Sequence, residues 1–397
     1  MTDETVVDVL VIGGGPAGTV TGGGTASAGL STLILEKRAE VGIPVRCGEG
    51  ISREVLDIIG SPPDPSFVAK EIEGARIISP GGMSVTLGPE MAGPETGFTI
   101  HRDRFDRHLA ERAILSGADL WVNAEAVSFK SESGYGIVDC YHLGKRERIR
   151  ANVVVAADGF ESLVASWAGL ATRLQMKDID TCLQYEMKGV YMDMRYTHFF
   201  VGRRFAPGGY VWVFPKAEDI ANVGLGLNGS MVEKGGEPKR YLDHFIRNSE
   251  GLRDAVITEV NGGAVSVSLP LETTVADNMV VVGDAARMID PLTGGGIYNA
   301  CVAAKEAVKA IENATVTGSF DSGSLASYET GWRDKLEFQM ARNYLAKEKL
   351  LQVDDNVIDK VLGAISEYDL TELSTEELLK AVAAKYPGVM DGLKGLI

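Results

Sequence analysis

Residues 6–12 form a run apolar at every position but Asp8, and it ends on Gly13-Gly14-Gly15-Pro16-Ala17-Gly18, a Gly-x-Gly-x-x-Gly turn. A stretch apolar on both faces of the strand, as Val9 to Ile12 is, reads as a strand buried on both sides, which belongs in a parallel sheet. Leu33-Ile34-Leu35 repeats the pattern and ends on Glu36, with a helix-length segment, residues 19–28, between the two strands. That segment carries Gly22, Gly23 and Gly24 in a row. Each glycine costs a helix about 1 kcal/mol relative to alanine, so only close packing justifies them. Strand, glycine turn, helix, strand and acid together predict a dinucleotide site. Gly13 permits the tight turn, Gly15 lets backbone approach a pyrophosphate, Gly18 lets helix and strand pack, and Glu36 meets a ribose. The helix N-terminus faces the phosphates. A purely structural glycine turn is the plainer alternative, and it leaves Glu36 without a role.

The remaining composition narrows the class. At 397 residues the chain predicts two domains or one large mixed domain. Its 39 basic and 55 acidic side chains give a formal charge of −16, which repels phosphodiesters and argues against a nucleic-acid partner. No apolar run approaches the ~18 residues of a spanning helix. The opening Met1-Thr2-Asp3-Glu4 is acidic where a signal peptide would be basic, so the expected location is cytoplasmic. Cys47, Cys140, Cys182 and Cys301 show no Cys-x-x-Cys spacing, and the last three read as small core residues. The five histidines form neither a metal spacing nor a Ser-His-Asp set, so no metal site is expected.

Further along, residues 102–116 have helical spacing, and residues 153–157 are a buried strand ending on Asp158-Gly159. Residues 279–284 return to that strand type, followed by Gly294-Gly295-Gly296 and an alanine-rich helix over about residues 297–311. Between residues 181 and 269 the pattern changes to alternating segments, 183–191, 210–214 and 223–227, which predict an antiparallel sheet. The predicted fold is therefore a two-domain α/β (α+β) protein. Residues 1–75, 98–180 and 270–323 make a discontinuous Rossmann-like domain, residues 76–97 and 181–269 an antiparallel-sheet substrate domain, and residues 324–397 a C-terminal helical region. There, Leu350, Val353, Val357, Ile358, Val361, Leu362 and Ile365 form one apolar stripe, suited to core packing or to a membrane interface. A Ser374-x-x-Glu377 capping box opens the last helix.

Residues 280–286, Val-Val-Val-Gly-Asp-Ala-Ala, with the following Pro291-Leu292-Thr293-Gly294-Gly295-Gly296-Ile297, favour FAD over NAD. FAD needs an acceptor for its ribityl hydroxyls and a second helix N-terminus for the electron-rich end of its ring. Asp284 and the amides of Gly295, Gly296 and Ile297 are placed to supply them.

These motifs, with Ala157-Asp158-Gly159, resemble the FAD-binding set of the para-hydroxybenzoate hydroxylase superfamily over most of the first 310 residues. Within it, Pro44-Val45-Arg46-Cys47-Gly48-Glu49-Gly50 and Tyr210-x-Trp212-x-Phe214-Pro215 resemble the geranylgeranyl reductases, especially those acting on archaeal ether phospholipids. The resemblance implies FAD-dependent saturation of isoprenoid double bonds, by hydride from reduced flavin plus a proton. It implies a polyprenyl lipid substrate, NAD(P)H or another low-potential donor, a role in lipid biosynthesis, and peripheral membrane contact. It also implies that Arg102 approaches the cofactor, that the Ala126 backbone meets the adenine, and that Ala17, Cys47, Gly48 and Gly50 line the FAD path. A plain i, i+4 pair with Asp106 is the alternative for Arg102.

Cys47 is the expected proton donor and Tyr298 the reserve. An inert thiol is the alternative for Cys47, since Arg46 would lower its pKa and Glu49 raise it. Tyr210, Trp212 and Phe214 share one strand face. Ordinary sheet packing explains such a face, and beside a flavin it would wall a hydrocarbon chain. The rivals are an aromatic hydroxylase, a flavin-dependent halogenase whose Trp-x-Trp-x-Ile-Pro motif is similar to residues 210–215, and a non-enzymatic flavin electron carrier.

Overall fold

The computed structural model describes residues 4–88, 97–232 and 237–366. The opening residues 1–3 and the capping box at Ser374 and Glu377 lie outside them. Thr5–Ile12 is the centre of a sheet, paired in parallel with Lys145–Ala156 on one side and Thr32–Leu35 on the other. Met279–Val281 and Asp119–Trp121 extend the sheet in parallel at its two sides. Val9, Leu10, Ile34, Val153, Val154 and Val280 are fully buried, as apolar strand segments between two helical layers must be.

The triple glycine of the helix Pro16–Ser27 is explained by three neighbours. A Cβ on Gly22 would sit 2.7 Å from Ile34 Cδ1, one on Gly23 3.1 Å from Ala113 Cα, and one on Gly24 2.5 Å from Val308 Cγ2. The helix is thus wedged between the sheet and the helices Arg102–Leu115 and Ile297–Thr317. That last helix runs six residues past the predicted end, to a left-handed Gly318 cap.

The second sheet has seven strands in the order Val256–Ser266, Ile179–Lys188, Ile220–Asn228, Tyr210–Pro215, Tyr196–Val201, Gly74–Ile78, Ser84–Leu87. It is antiparallel at every pairing but one. Tyr196–Val201 lies parallel to Gly74–Ile78, a strand that arrives from more than a hundred residues earlier rather than through a hairpin. The expected strand over residues 183–191 is shifted, beginning at Ile179 and ending at Lys188.

The stripe over residues 350–365 is not one helix. Ser322–Leu350 stops, residues 351–354 turn, and Asp355–Ile365 starts afresh. Arg203 Nη2 takes the Leu351 carbonyl at 2.7 Å, and the Asp355 carboxylate accepts the Arg203 and Arg204 backbone amides at 2.7 and 3.0 Å. Groups a continuing helix would use internally are spent on the neighbouring loop.

Candidate active site

One cavity of about 1110 Å³ lies between the two sheets, roofed by the C-terminal helices. Gly15 and Ala17 at the glycine turn line it, as do Asp284 and the Gly295-Gly296-Ile297 helix start. Cys47, Gly48, Gly50, Arg102 and Tyr298 follow, with Tyr210, Trp212 and Phe214 on the wall of the second sheet. The apolar stripe, now on two helices, faces the same space through Leu350, Val353, Val357, Ile358, Val361 and Leu362. It meets Ile77, Leu87 and Val201 there, so these side chains build a cavity wall, while Leu350 stays 44% exposed.

Local sequence places each wall. In Tyr210–Pro215 the two-residue period sends Trp212 and Phe214, 8% and 4% exposed, toward the cavity, while Val211 and Val213 are fully buried in a core beneath the sheet. The Tyr210 hydroxyl donates to the Thr293 carbonyl, linking that wall to the loop before Ile297–Thr317. Gly48 packs where a Cβ would lie 3.0 Å from the Phe214 ring. The Trp212 indole N–H donates to Gln184 Oε1 at 2.8 Å, and Gln184 Nε2 donates to the Cys47 carbonyl at 3.0 Å.

Cys47 is half-buried, and the Glu49 amide donates to its sulfur at 3.2 Å. Burial pushes its thiol pKa up, against the pull of the Arg102 guanidinium. The cation that acts on it is Arg102, not Arg46 as expected from adjacency; Arg46 lines the cavity as an exposed residue. Arg102 has two kinds of neighbour. It pairs with Asp106 at 2.6 Å along its own helix, and it lines the cavity.

Four expected cofactor residues stand outside the lining. Gly13 and Gly18 buttress the turn: a Cβ on Gly18 would lie 1.9 Å from the Gly13 carbonyl oxygen. Glu36 accepts the Gly14 amide at 3.0 Å and the Arg38 amide at 2.9 Å, which fixes its carboxylate beside the glycine turn. Ala126 sits in Ala124–Glu132, opposite Cys140. Gly295 lines the cavity, but its amide already donates to Thr293 Oγ1 at 3.2 Å.

The protein is 44% identical to a digeranylgeranylglycerophospholipid reductase of Thermoplasma volcanium over 393 residues, spanning 98% of this chain and 99% of that protein. The chain belongs to the digeranylgeranylglycerophospholipid reductase family. A relative of the same name from Thermoplasma acidophilum is 42% identical over 98% of this chain and 99% of its own. Residues 6–218 match the FAD binding domain family, and residues 178–265 the geranylgeranyl reductase catalytic domain. A solved structure described as a geranylgeranyl bacteriochlorophyll reductase-like protein from T. acidophilum superposes with a TM-score of 0.93, at 42% identity, each chain fully covered. Flavin-dependent halogenases share the fold alone: the halogenase PltM aligns at a TM-score of 0.69 with 18% identity, over 97% of this chain and 85% of its own.

The residues present fit FAD. A Cβ on Gly15 would meet nothing within 4 Å, so bare backbone faces the cavity, whereas Gly13 and Gly18 have no room for one. Buried Asp158 Oδ1 has no protein partner, and the Asp284 carboxyl faces the cavity with its pKa raised by burial. In this family, Gly15 and the helix start at Pro16 would hold the pyrophosphate, and Asp284 and the Gly296–Ile297 amides the flavin end.

The sequence reading missed several lining groups. Cys182, expected in the core, lines the cavity, and burial raises its thiol pKa to about 12. Asp180, two residues before it on the same strand face, also lines the cavity. Burial pushes its carboxyl from an ordinary 3.8 up to about 6, opposed by a 2.9 Å hydrogen bond from Asn228 and by Lys347. A carboxyl raised in the folded state binds its proton more tightly there. Its contribution to stability is therefore full below about pH 3.8 and is lost as pH rises from there through 6, by ~3 kcal/mol in all. Urea midpoints measured from pH 4 to 8 should drop in the wild-type protein and drop much less in Asp180→Asn. The only signal for Asp180 and Cys182 was their period-two spacing with Gln184 on one strand face.

Proposed function

We propose that the protein saturates isoprenoid C=C bonds of geranylgeranyl groups in ether phospholipids of the archaeal type. The observation that carries this is the continuity of one cavity from the bare backbone of Gly15, past Cys47 and the aromatic wall, to an aliphatic cluster at Ile77, Val361 and Leu362. The names of its relatives supply the substrate class. FAD, when bound and reduced, supplies the hydride.

The protein's own residues do the rest. Trp212, Phe214 and Tyr210 press a hydrocarbon chain into one plane and exclude water from it. An isolated alkene has no carbonyl to polarise, so a proton must be held ready for one of its carbons. The Cys47 thiol, kept protonated at neutral pH by burial, holds that proton on Sγ, with the Tyr298 hydroxyl as second candidate. Electrons enter from NAD(P)H or another low-potential donor. Because the substrate lies in a bilayer, the protein meets a membrane peripherally; no described helix is long and apolar enough to cross one.

The test is turnover of a geranylgeranyl ether lipid without oxygen, followed by mass spectrometry. The product should gain two hydrogens per double bond. Cys47→Ala should retain FAD and lose about 100-fold or more in kcat. A strict need for oxygen would instead support a hydroxylase, and full turnover in Cys47→Ala would remove its thiol from the chemistry.

A further inference from the structure

The cavity wall at Cys47 is held in place by charge. Glu49 lies between two glycines with φ 74°, a left-handed conformation that a residue with a side chain rarely adopts, and it is 3% exposed. Its backbone bonds are made, the amide to Cys47 Sγ at 3.2 Å and the carbonyl to the Ile100 amide at 2.9 Å. Its carboxylate is equally engaged. Oε1 accepts the Arg102 amide at 2.7 Å, at the start of a helix whose own N-cap side chain makes no capping bond. Oε2 accepts both Lys216 Nζ and Asn222 Nδ2 at 2.6 Å.

Asn222 lies in the second sheet, on Ile220–Asn228, and Lys216 at the end of a neighbouring strand of it. Lys216 directly follows the aromatic strand Tyr210–Pro215, and it also reaches Glu186 at 2.9 Å. Asn222 donates a further bond to the Gly48 carbonyl at 3.2 Å. Burial works against the charge on Lys216, and Glu49 with Glu186 more than offsets it. A buried ammonium between two carboxylates is a poor source of stability compared with apolar packing of the same volume. What it does give is geometry, because each bond has one direction and one length. Here the bonds fix residues 47–49 against the strand that carries Trp212 and Phe214.

We propose that Glu49 is a positioning residue for the Cys47 thiol, and that Lys216 is the clamp that locks Glu49 to the aromatic wall. The proposal rests on the reductase reading for the use made of Cys47, but the placement itself is testable without turnover. Full-length, FAD-loaded wild type, Glu49→Gln, Lys216→Met and Lys216→Arg are treated with iodoacetamide, and modification of Cys47 is read by peptide mass. With the clamp gone the loop opens in both Glu49→Gln and Lys216→Met, and Glu49→Gln also loses a neighbouring negative charge, so Cys47 should react about tenfold faster in Glu49→Gln and faster, through the opened loop alone, in Lys216→Met. Lys216→Arg, which keeps the charge, should return toward the wild-type rate. On a geranylgeranyl lipid, kcat of the first two variants, counted per mole of bound FAD so that loss of folded protein does not contribute, should fall about tenfold with KM within about twofold.

Glu186→Gln removes only the outer, 24%-exposed partner and serves where a core variant does not fold; it should accelerate labelling to a smaller degree. Labelling within about twofold of wild type in every folded variant overturns the proposal. Faster labelling together with an inactive wild-type protein upholds the placement and sinks the reductase reading instead.

Discussion

Gly13→Ala should yield a colourless protein. At φ 118° the residue lies where L side chains are strained, and a Cβ there would sit 2.1 Å from the Ala157 carbonyl oxygen. That carbonyl cannot give way cheaply. The Ala157 amide donates to Ile12 at 2.9 Å, and the preceding residue is fully buried in the central strand pair. The turn must therefore shift, and the shift is passed directly to Gly18, whose close approach to the Gly13 carbonyl sets the start of the helix beneath the pyrophosphate site. Absorbance near 450 nm after purification should fall at least about tenfold per mole of protein, a loss of binding worth ~1.4 kcal/mol or more. Retention of a full complement of FAD would mean that the glycine turn does not hold the cofactor.

Ile77→Trp should separate substrates by length. Ile77 is half-buried, faces the aliphatic end of the cavity and packs with Leu87, Val201 and Ile358 around Val85 and Leu362. An indole there fills space that is open rather than space already packed, so the overpacking cost of a core substitution is avoided. Turnover of a geranylgeranyl chain should fall on the order of 100-fold, while a single-isoprene substrate that never reaches this end keeps most of its rate. Steady-state kinetics on both chain lengths decides it. Equal losses on the two would show that the aliphatic end does not receive the chain.

Much of this site was legible in the chain because the signals are short-range. Gly13, Gly15 and Gly18 are read from the geometry of a single turn, and Asp284 from another strand end. Tyr210, Trp212 and Phe214 share a face by the period of a strand alone. The stripe over residues 350–365 was legible as apolar but not as two helices, because the break depends on Arg203 claiming the Leu351 carbonyl across 148 residues. Cys182 and Asp180 were passed over for a related reason. A cysteine and an aspartate on a strand announce nothing until the opposite wall of the cavity is known.

The sequence by itself determined the parallel sheet, the dinucleotide turn, the alternating second sheet and the aromatic face, since each follows from backbone period and from the steric demands of glycine. Only the tertiary structure decided which charge acts on Cys47, where the triple glycine is wedged, and that Glu49 and Lys216, 167 residues apart, close on one another out of water. The physical reason is that steric rules act between neighbours along the chain. Burial and Coulomb interaction depend instead on what the fold brings within a few ångströms, and no local pattern records that.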